Sequence, residues 1–212
     1  QYVFQWVPTT CMKEPNCKAS FLNPQANVFS LHGLWPANST GHSLNCSEPK
    51  LTTLLNVRNV WRGDQTLKLK LQKVWPNLLG TDEGFWIHEW KKHGFCTNTI
   101  IKDVDYFKAA ITINNMIVKG STNNLIGYLK AVGIYPSNSS FHSKTDIESA
   151  LYPLVGKNNK VYVSCEKIDN QVHLKEIYLC LDKSLQKFIS CPQPHANRGC
   201  GPSPKNIVIP AF

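Results

Sequence analysis

The stretch FWIHEWKKHGFC, residues 85–96, sets two histidines, one glutamate and two lysines within the six positions from His88 to His93. It reads as helix. Helical residues four apart are neighbours, so His88 is set beside Lys92 and Glu89 beside His93, on adjoining ridges of one side. Around it lies a helical middle. Leu67, Leu71, Val74 and Trp75 recur at helical spacing, although residues 67–71 also alternate like a strand. Asp103 reads as the N-cap of a helix burying Phe107, Ala110, Ile111 and Val118. Ser121 reads as the cap of the next, which carries Leu125, Ile126 and Leu129 and stops at Gly133. Thr145 and Glu148 form a capping-box pattern ahead of Ala150, Leu151 and Leu154.

Both flanks read as strands. Tyr2 to Val7 is a strand ended by Pro8, and Val28 to His32 is a second, stopped by Gly33 and Pro36. Side chains alternate along a strand, so Phe29 and Leu31 share one face and His32 looks out from the other. Val161–Cys165, Val172–Leu174, Ile177–Cys180, Phe188–Ile189 and Ile207–Ile209 supply the later strands. Strands and helices are segregated rather than strictly alternating, which is the α+β pattern. No repeat, low-complexity tract or linker divides the 212 residues, so one domain, 1–212, is expected.

A hydrophobic share of 42% is globular composition. No apolar run approaches the roughly 18–20 residues that span a bilayer. Cys11, Cys17, Cys46, Cys96, Cys165, Cys180, Cys191 and Cys200 are even in number and contain no Cys-x-x-Cys, which favours four disulfides in an oxidising compartment over a metal ribbon. Their connectivity is open at this point. Sequons at Asn38, Asn45 and Asn138 agree with secretion, and Gln1 in place of Met reads as a mature chain without its signal peptide. The formal charge is +9 and the pI about 9.1. Such a surface gathers polyanions, though solubility alone also accounts for it.

Two chemistries compete for residues 88–93. The zinc signature H-E-x-x-H needs histidines four apart on one helix face. Here they are five apart, and the fourth residue after His88 is Lys92, a cation that repels zinc; no metal site is read. RNA offers the other chemistry. Its 2′-hydroxyl is a built-in nucleophile, so one base and one acid suffice, and two histidines can fill both roles near neutral pH. Lys92 and a protonated His88 suit the charge that builds on phosphoryl oxygens. Glu89 is expected to orient His93 and tune it. Each feature has an ordinary reading too: a histidine after a strand, a solvated helix turn, and core aromatics at Trp35, Phe85, Trp86 and Trp90.

HGLWP, residues 32–36, and HEWKKHG, residues 88–94, with Cys96 two residues on, closely resemble the two active-site segments of the acid ribonuclease family of the T-two type, in the family's order and spacing. Phe4-Gln5-Trp6 with Cys11, the stretch Val74–Asn77, and Ile189–Pro192 are similar to further segments of its plant branch. Phe95 departs from the small polar residue common at its position. The resemblance implies a central, mostly antiparallel sheet with helices packed on it. It implies the pairs Cys11–Cys17, Cys46–Cys96, Cys165–Cys200 and Cys180–Cys191. It implies His32 as general acid and His93 as general base, supported by His88, Glu89 and Lys92, cutting single-stranded RNA through a 2′,3′-cyclic phosphate with no metal or cofactor. It places base binding at Gln5, Trp35, Gln72, Lys73, Val74 and Phe85. The basic pI, the sequons and the carboxyl-terminal region are similar to self-incompatibility ribonucleases of the style, which implies a secreted monomer with a pollen-side recognition protein as partner. A stress or defence ribonuclease of the same fold, or an idle secreted storage or defence protein, are the alternatives.

Overall fold

β1 (Tyr2–Trp6) is sandwiched in a sheet between β2 (Phe29–Leu34) and the long β5 (Gln171–Leu181), antiparallel to both. This computed structural model describes residues 1–18, 26–46, 51–119, 124–192, 199–200 and 206–212. β5 also pairs antiparallel with β4 (Tyr162–Ile168) and the short β6 (Phe188–Ile189), and parallel with β7 (Ile207–Ile209), which pairs in turn with β3 (Ser137–His142). The sheet is therefore mostly antiparallel, as expected.

Alternation on β1 divides the molecule. Tyr2, Phe4 and Trp6 point into the main core with Phe29 and Leu31, while Val3 packs on the other side with Trp35, Tyr162 and Tyr178. The main core is closed by helices. α2 (Leu51–Arg62) contributes Val57 and Trp61, and α3 (Gln65–Val74) contributes Leu67 and Leu71. α4 (Asp82–Glu89) contributes Trp86 and Ile87. α5 (Tyr106–Lys119) and α6 (Asn124–Ala131) add Phe107, Ala110, Ile111, Leu125 and Leu129. All four disulfides form with the expected pairing.

Several local expectations are corrected. Pro8 does not merely end a strand; it opens α1 (Val7–Met12), because a first-turn proline gives up an N–H that would have no partner anyway. β2 runs through Gly33 to Leu34. A 3₁₀ turn at Asp103–Asp105 precedes α5, and Val118 is exposed while Ile113 and Ile117 take the core face. The capping box of α7 (Lys144–Ala150) is Ser143 with Asp146, two residues before the expected pair. Ser121 lies outside the described residues. The alternating 67–71 stretch resolves as helix, capped by Asp64, whose carboxylate accepts from the Leu67 N–H at 2.9 Å. α1, α2 and β3 answer to no expectation from the sequence.

Candidate active site

β2 carries His32, and the pairing with β1 slips there: Phe4 opposes Leu31 and Val3 opposes Gly33, so His32 is the extra residue of a bulge. Bulges re-aim side chains, commonly beside active sites. Two buried indoles fix the bulge from behind. Trp75 Nε1 donates to the His32 carbonyl at 2.8 Å, and Trp86 Nε1 donates to the Trp75 carbonyl at 2.7 Å. Gly33 next door must lack a side chain, because a Cβ there would run into the Trp35 indole and the Glu89 carboxylate.

His32 Nδ1 lies 2.6 Å from Glu176 Oε1, and its Nε2 lies 3.9 Å from Glu89 Oε1. Glu176 comes from β5, in register with Gln5 on one side and Ser164 on the other. Its second oxygen accepts from Tyr178 Oη at 2.7 Å and Ser164 Oγ at 3.1 Å, so the buried carboxylate is fully engaged. Burial alone would lower the His32 pKa. The Glu176 hydrogen bond and charge, with the charge of Glu89, outweigh burial and the repulsion from Lys175, and hold it above the ordinary histidine value. The same contact keeps Glu176 ionised against its own burial.

His93 is treated oppositely. The α-helix ends at Glu89 and the chain widens into a π-turn, Trp90–Gly94. That turn puts His93 in the interior, with Nδ1 2.9 Å from the Leu44 carbonyl. A carbonyl only accepts, so Nδ1 carries the hydrogen and Nε2 presents a lone pair. Burial, followed by repulsion from Lys92, His32 and His88, lowers its pKa to about 4 against the pull of the Leu44 bond. Leu44 is held by its neighbours: the Cys46 N–H donates to the Lys92 carbonyl at 2.8 Å, and Cys46 is joined to Cys96. Gly94 must also lack a side chain, since a Cβ would press on Trp90 and on the Tyr106 ring.

The π-turn corrects the expectation that Glu89 orients His93. Four-residue spacing lapses where the helix widens. Glu89 instead accepts from Trp35 Nε1 at 2.7 Å and faces His32; burial raises its pKa against the pull of His32, Trp35, His88 and Lys92. His88 and Lys92 are exposed, within electrostatic reach of both Glu89 and His93. Trp35 is buried between the two catalytic candidates, with ring centroids 4.9 Å from His32 and 4.8 Å from His93. Its position is that of a spacer between imidazoles rather than an open stacking face.

Beside His32 opens a cleft of about 230 Å³ lined by Gln5, Asn77, Leu78, Leu79, Phe85, Lys175 and Glu176. The Phe85 ring stacks near His32, centroids 6.0 Å apart. Gln72 and Lys73 lie exposed on α3 and Val74 packs against the core, so none of the three lines this cleft; residues 77–79, past Pro76, do. Glu176 and Lys175 were missed from sequence. The signal available for Glu176 was a carboxylate sharing the strand phase of Tyr178 and Cys180, two buried residues.

Residues 1–191 match the model of the Ribonuclease T2 family. The chain belongs to the Ribonuclease T2 family. Among its T2 relatives, Ribonuclease S-1 of Pyrus pyrifolia is 34% identical over 96% of this chain and 85% of its own length. Ribonuclease 3 of Arabidopsis thaliana is 33% identical over 92% and 83%. The solved T2 structure of Japanese pear S3-RNase superposes with a TM-score of 0.74 at 28% identity, covering 97% of this chain and 96% of that one.

Proposed function

We propose that this T2 ribonuclease cuts single-stranded RNA by transesterification, with His93 as base and His32 as acid. One observation carries the reading: the two imidazoles are held by opposite partners, a carboxylate at His32 Nδ1 and a carbonyl at His93 Nδ1. Between roughly pH 4 and the raised His32 pKa, one is neutral and the other charged. His93 Nε2 takes the 2′-hydroxyl proton, and the 2′-oxygen bonds to phosphorus. The P–O5′ bond breaks, His32 Nε2–H protonates the leaving oxygen, and a 2′,3′-cyclic phosphate remains. Lys92, with His88 beside it, offsets charge on the phosphoryl oxygens. The nucleophile comes from the substrate, so the reaction needs no metal. Gln5 and Phe85, which line the cleft with Leu79, suit one base, the aromatic face by stacking and the amide by hydrogen bonding.

The test is digestion of RNA in EDTA. Early products with 2′,3′-cyclic ends, undiminished by chelation and absent when the cleaved nucleotide is 2′-deoxy, are expected. Chelator-sensitive cutting, or open 3′-phosphates as first products, would overturn the mechanism. Four disulfides and the sequons support secretion. For its biological role we propose stylar self-incompatibility, with a pollen-side protein as partner, on the likeness to S-1 and S3. Near-equal identity to Ribonuclease 3 of Arabidopsis favours a second reading, a stress or defence ribonuclease outside that system. Expression confined to the style separates them.

A further inference from the structure

The sequons at Asn38 and Asn138 use their side-chain amides in opposite ways. At Asn38 every bond goes to the oxygen. Oδ1 accepts from the Thr40 N–H at 3.1 Å, the Thr40 hydroxyl at 2.8 Å and the His42 N–H at 2.9 Å. The nitrogen takes no part in these bonds, and the residue is exposed. At Asn138 both ends of the amide are committed to one residue. Oδ1 accepts from the Ala211 N–H and Nδ2 donates to the Ala211 carbonyl, each at 3.0 Å. The pairing with β7 slips at this point, from Ser137 opposite Ile209 to Phe141 opposite Val208. The Asn138 amide replaces the ladder bonds that the slipped residues give up.

Planar amide chemistry makes the second arrangement exclusive. To meet the N–H and the C=O of a single residue, Asn138 must use Oδ1 and the Nδ2 hydrogen lying on the same side as Oδ1. A secondary amide is planar and prefers its nitrogen substituent on the carbonyl-oxygen side. In an N-linked glycan the anomeric carbon therefore takes the place of that same hydrogen. A sugar on Asn138 would occupy the position of the Ala211 carbonyl. At Asn38 the corresponding hydrogen is not used, and Oδ1 keeps its three bonds after modification.

We propose that Asn38 carries an N-linked glycan, and that Asn138 stays bare because its amide clamps the segment after β7. That segment is also held by Trp6 Nε1, which donates to the Pro210 carbonyl at 2.9 Å, and by Asn27 Oδ1, which accepts from the Phe212 N–H at 3.1 Å. The proposal does not depend on the catalytic reading.

The full chain secreted from a eukaryotic host is digested, and its glycopeptides are mapped by mass spectrometry. Sugar on Asn38 and unmodified Asn138 are expected; a glycan on Asn138 of the folded protein, or none on Asn38, overturns the assignment. Two variants then separate clamp from sequon. Ser140→Ala destroys the sequon and keeps the amide; Asn138→Ala destroys both. Hydrogen exchange at residues 207–212 is expected to accelerate about tenfold in Asn138→Ala, as for loss of a hydrogen bond, and to stay at the parent rate in Ser140→Ala. Equal exchange in the two variants would sink the clamp.

Discussion

His32 and His93 carry the same ring, and the groups at Nδ1 make them different reagents. Replacing either by Ala is expected to lower kcat by about 10²–10⁴, the usual worth of general acid–base catalysis, with circular dichroism unchanged. A folded variant with near-normal turnover would refute the roles. The pH dependence follows from the two shifts. With His93 as the proposed base and His32 as the proposed acid, activity needs His93 neutral, so it is expected to fall as pH drops through about 4. It needs His32 protonated, so it falls as pH rises through a value above the ordinary 6.5. The rate profile is therefore bell-shaped with an acid-side optimum, a point that Glu89 and Lys92 leave open in the sequence alone. Glu176→Gln removes the anion that holds the His32 proton, so the alkaline limb is expected to move to lower pH while the acid limb stays. An unmoved alkaline limb would show that Glu176 does not tune His32.

At the scale of elements, the site is built from departures from regular geometry: the bulge at His32 and the π-turn at Trp90–Gly94. Gly94→Ala tests the second. Its Cβ would lie 2.6 Å from Trp90 Cδ1 and 2.9 Å from Tyr106 Cζ, and overpacking of this kind costs about 1–3 kcal/mol. A lower urea midpoint and a reduced kcat are expected together, because the displaced turn carries His93. These departures mark the boundary of what the sequence discloses. Strand and helix periodicity reveals β1, β2, β5 and the helical middle, since alternation and 3.6-residue spacing are local properties. A bulge depends on the partner strand, and a π-turn depends on what packs against it, so Glu89 was aligned with His93 by a rule that stops holding at Glu89. The catalytic candidates were legible because their residue types and spacing are local. Glu176 was not, because its partner His32 is 144 residues away. β3 escaped for a similar reason: SNSS has no strand propensity, and its pairing is supplied by β7 and by Asn138.

At the scale of the molecule, Cys46–Cys96 joins the loop after β2 to the 3₁₀ turn Phe95–Thr97 that follows the π-turn. Closing a loop of 50 residues stabilises by about 4 kcal/mol on the chain-entropy model. Cys46 lies two residues past Leu44, so the bond also restrains the loop whose carbonyl meets His93. Replacing both cysteines by Ala should therefore lower the melting temperature, and it should also raise the His93 pKa toward its ordinary value as water reaches the ring, read as a shift of the acid limb to higher pH. A variant that melts early yet keeps the parent acid limb would show the disulfide to be structural only.

The distance in sequence between His32 and its anchor has a consequence for how the chain is made. Glu176 leaves the ribosome long after both histidines, and the Cys46–Cys96 bond beside Leu44 forms only once two cysteines have been oxidised. A partly synthesised chain, or one still in a reducing compartment, has the residues of a ribonuclease without their protonation states set. The settings on which the proposed cutting depends are therefore completed last, once β5 has been synthesised and paired with β1.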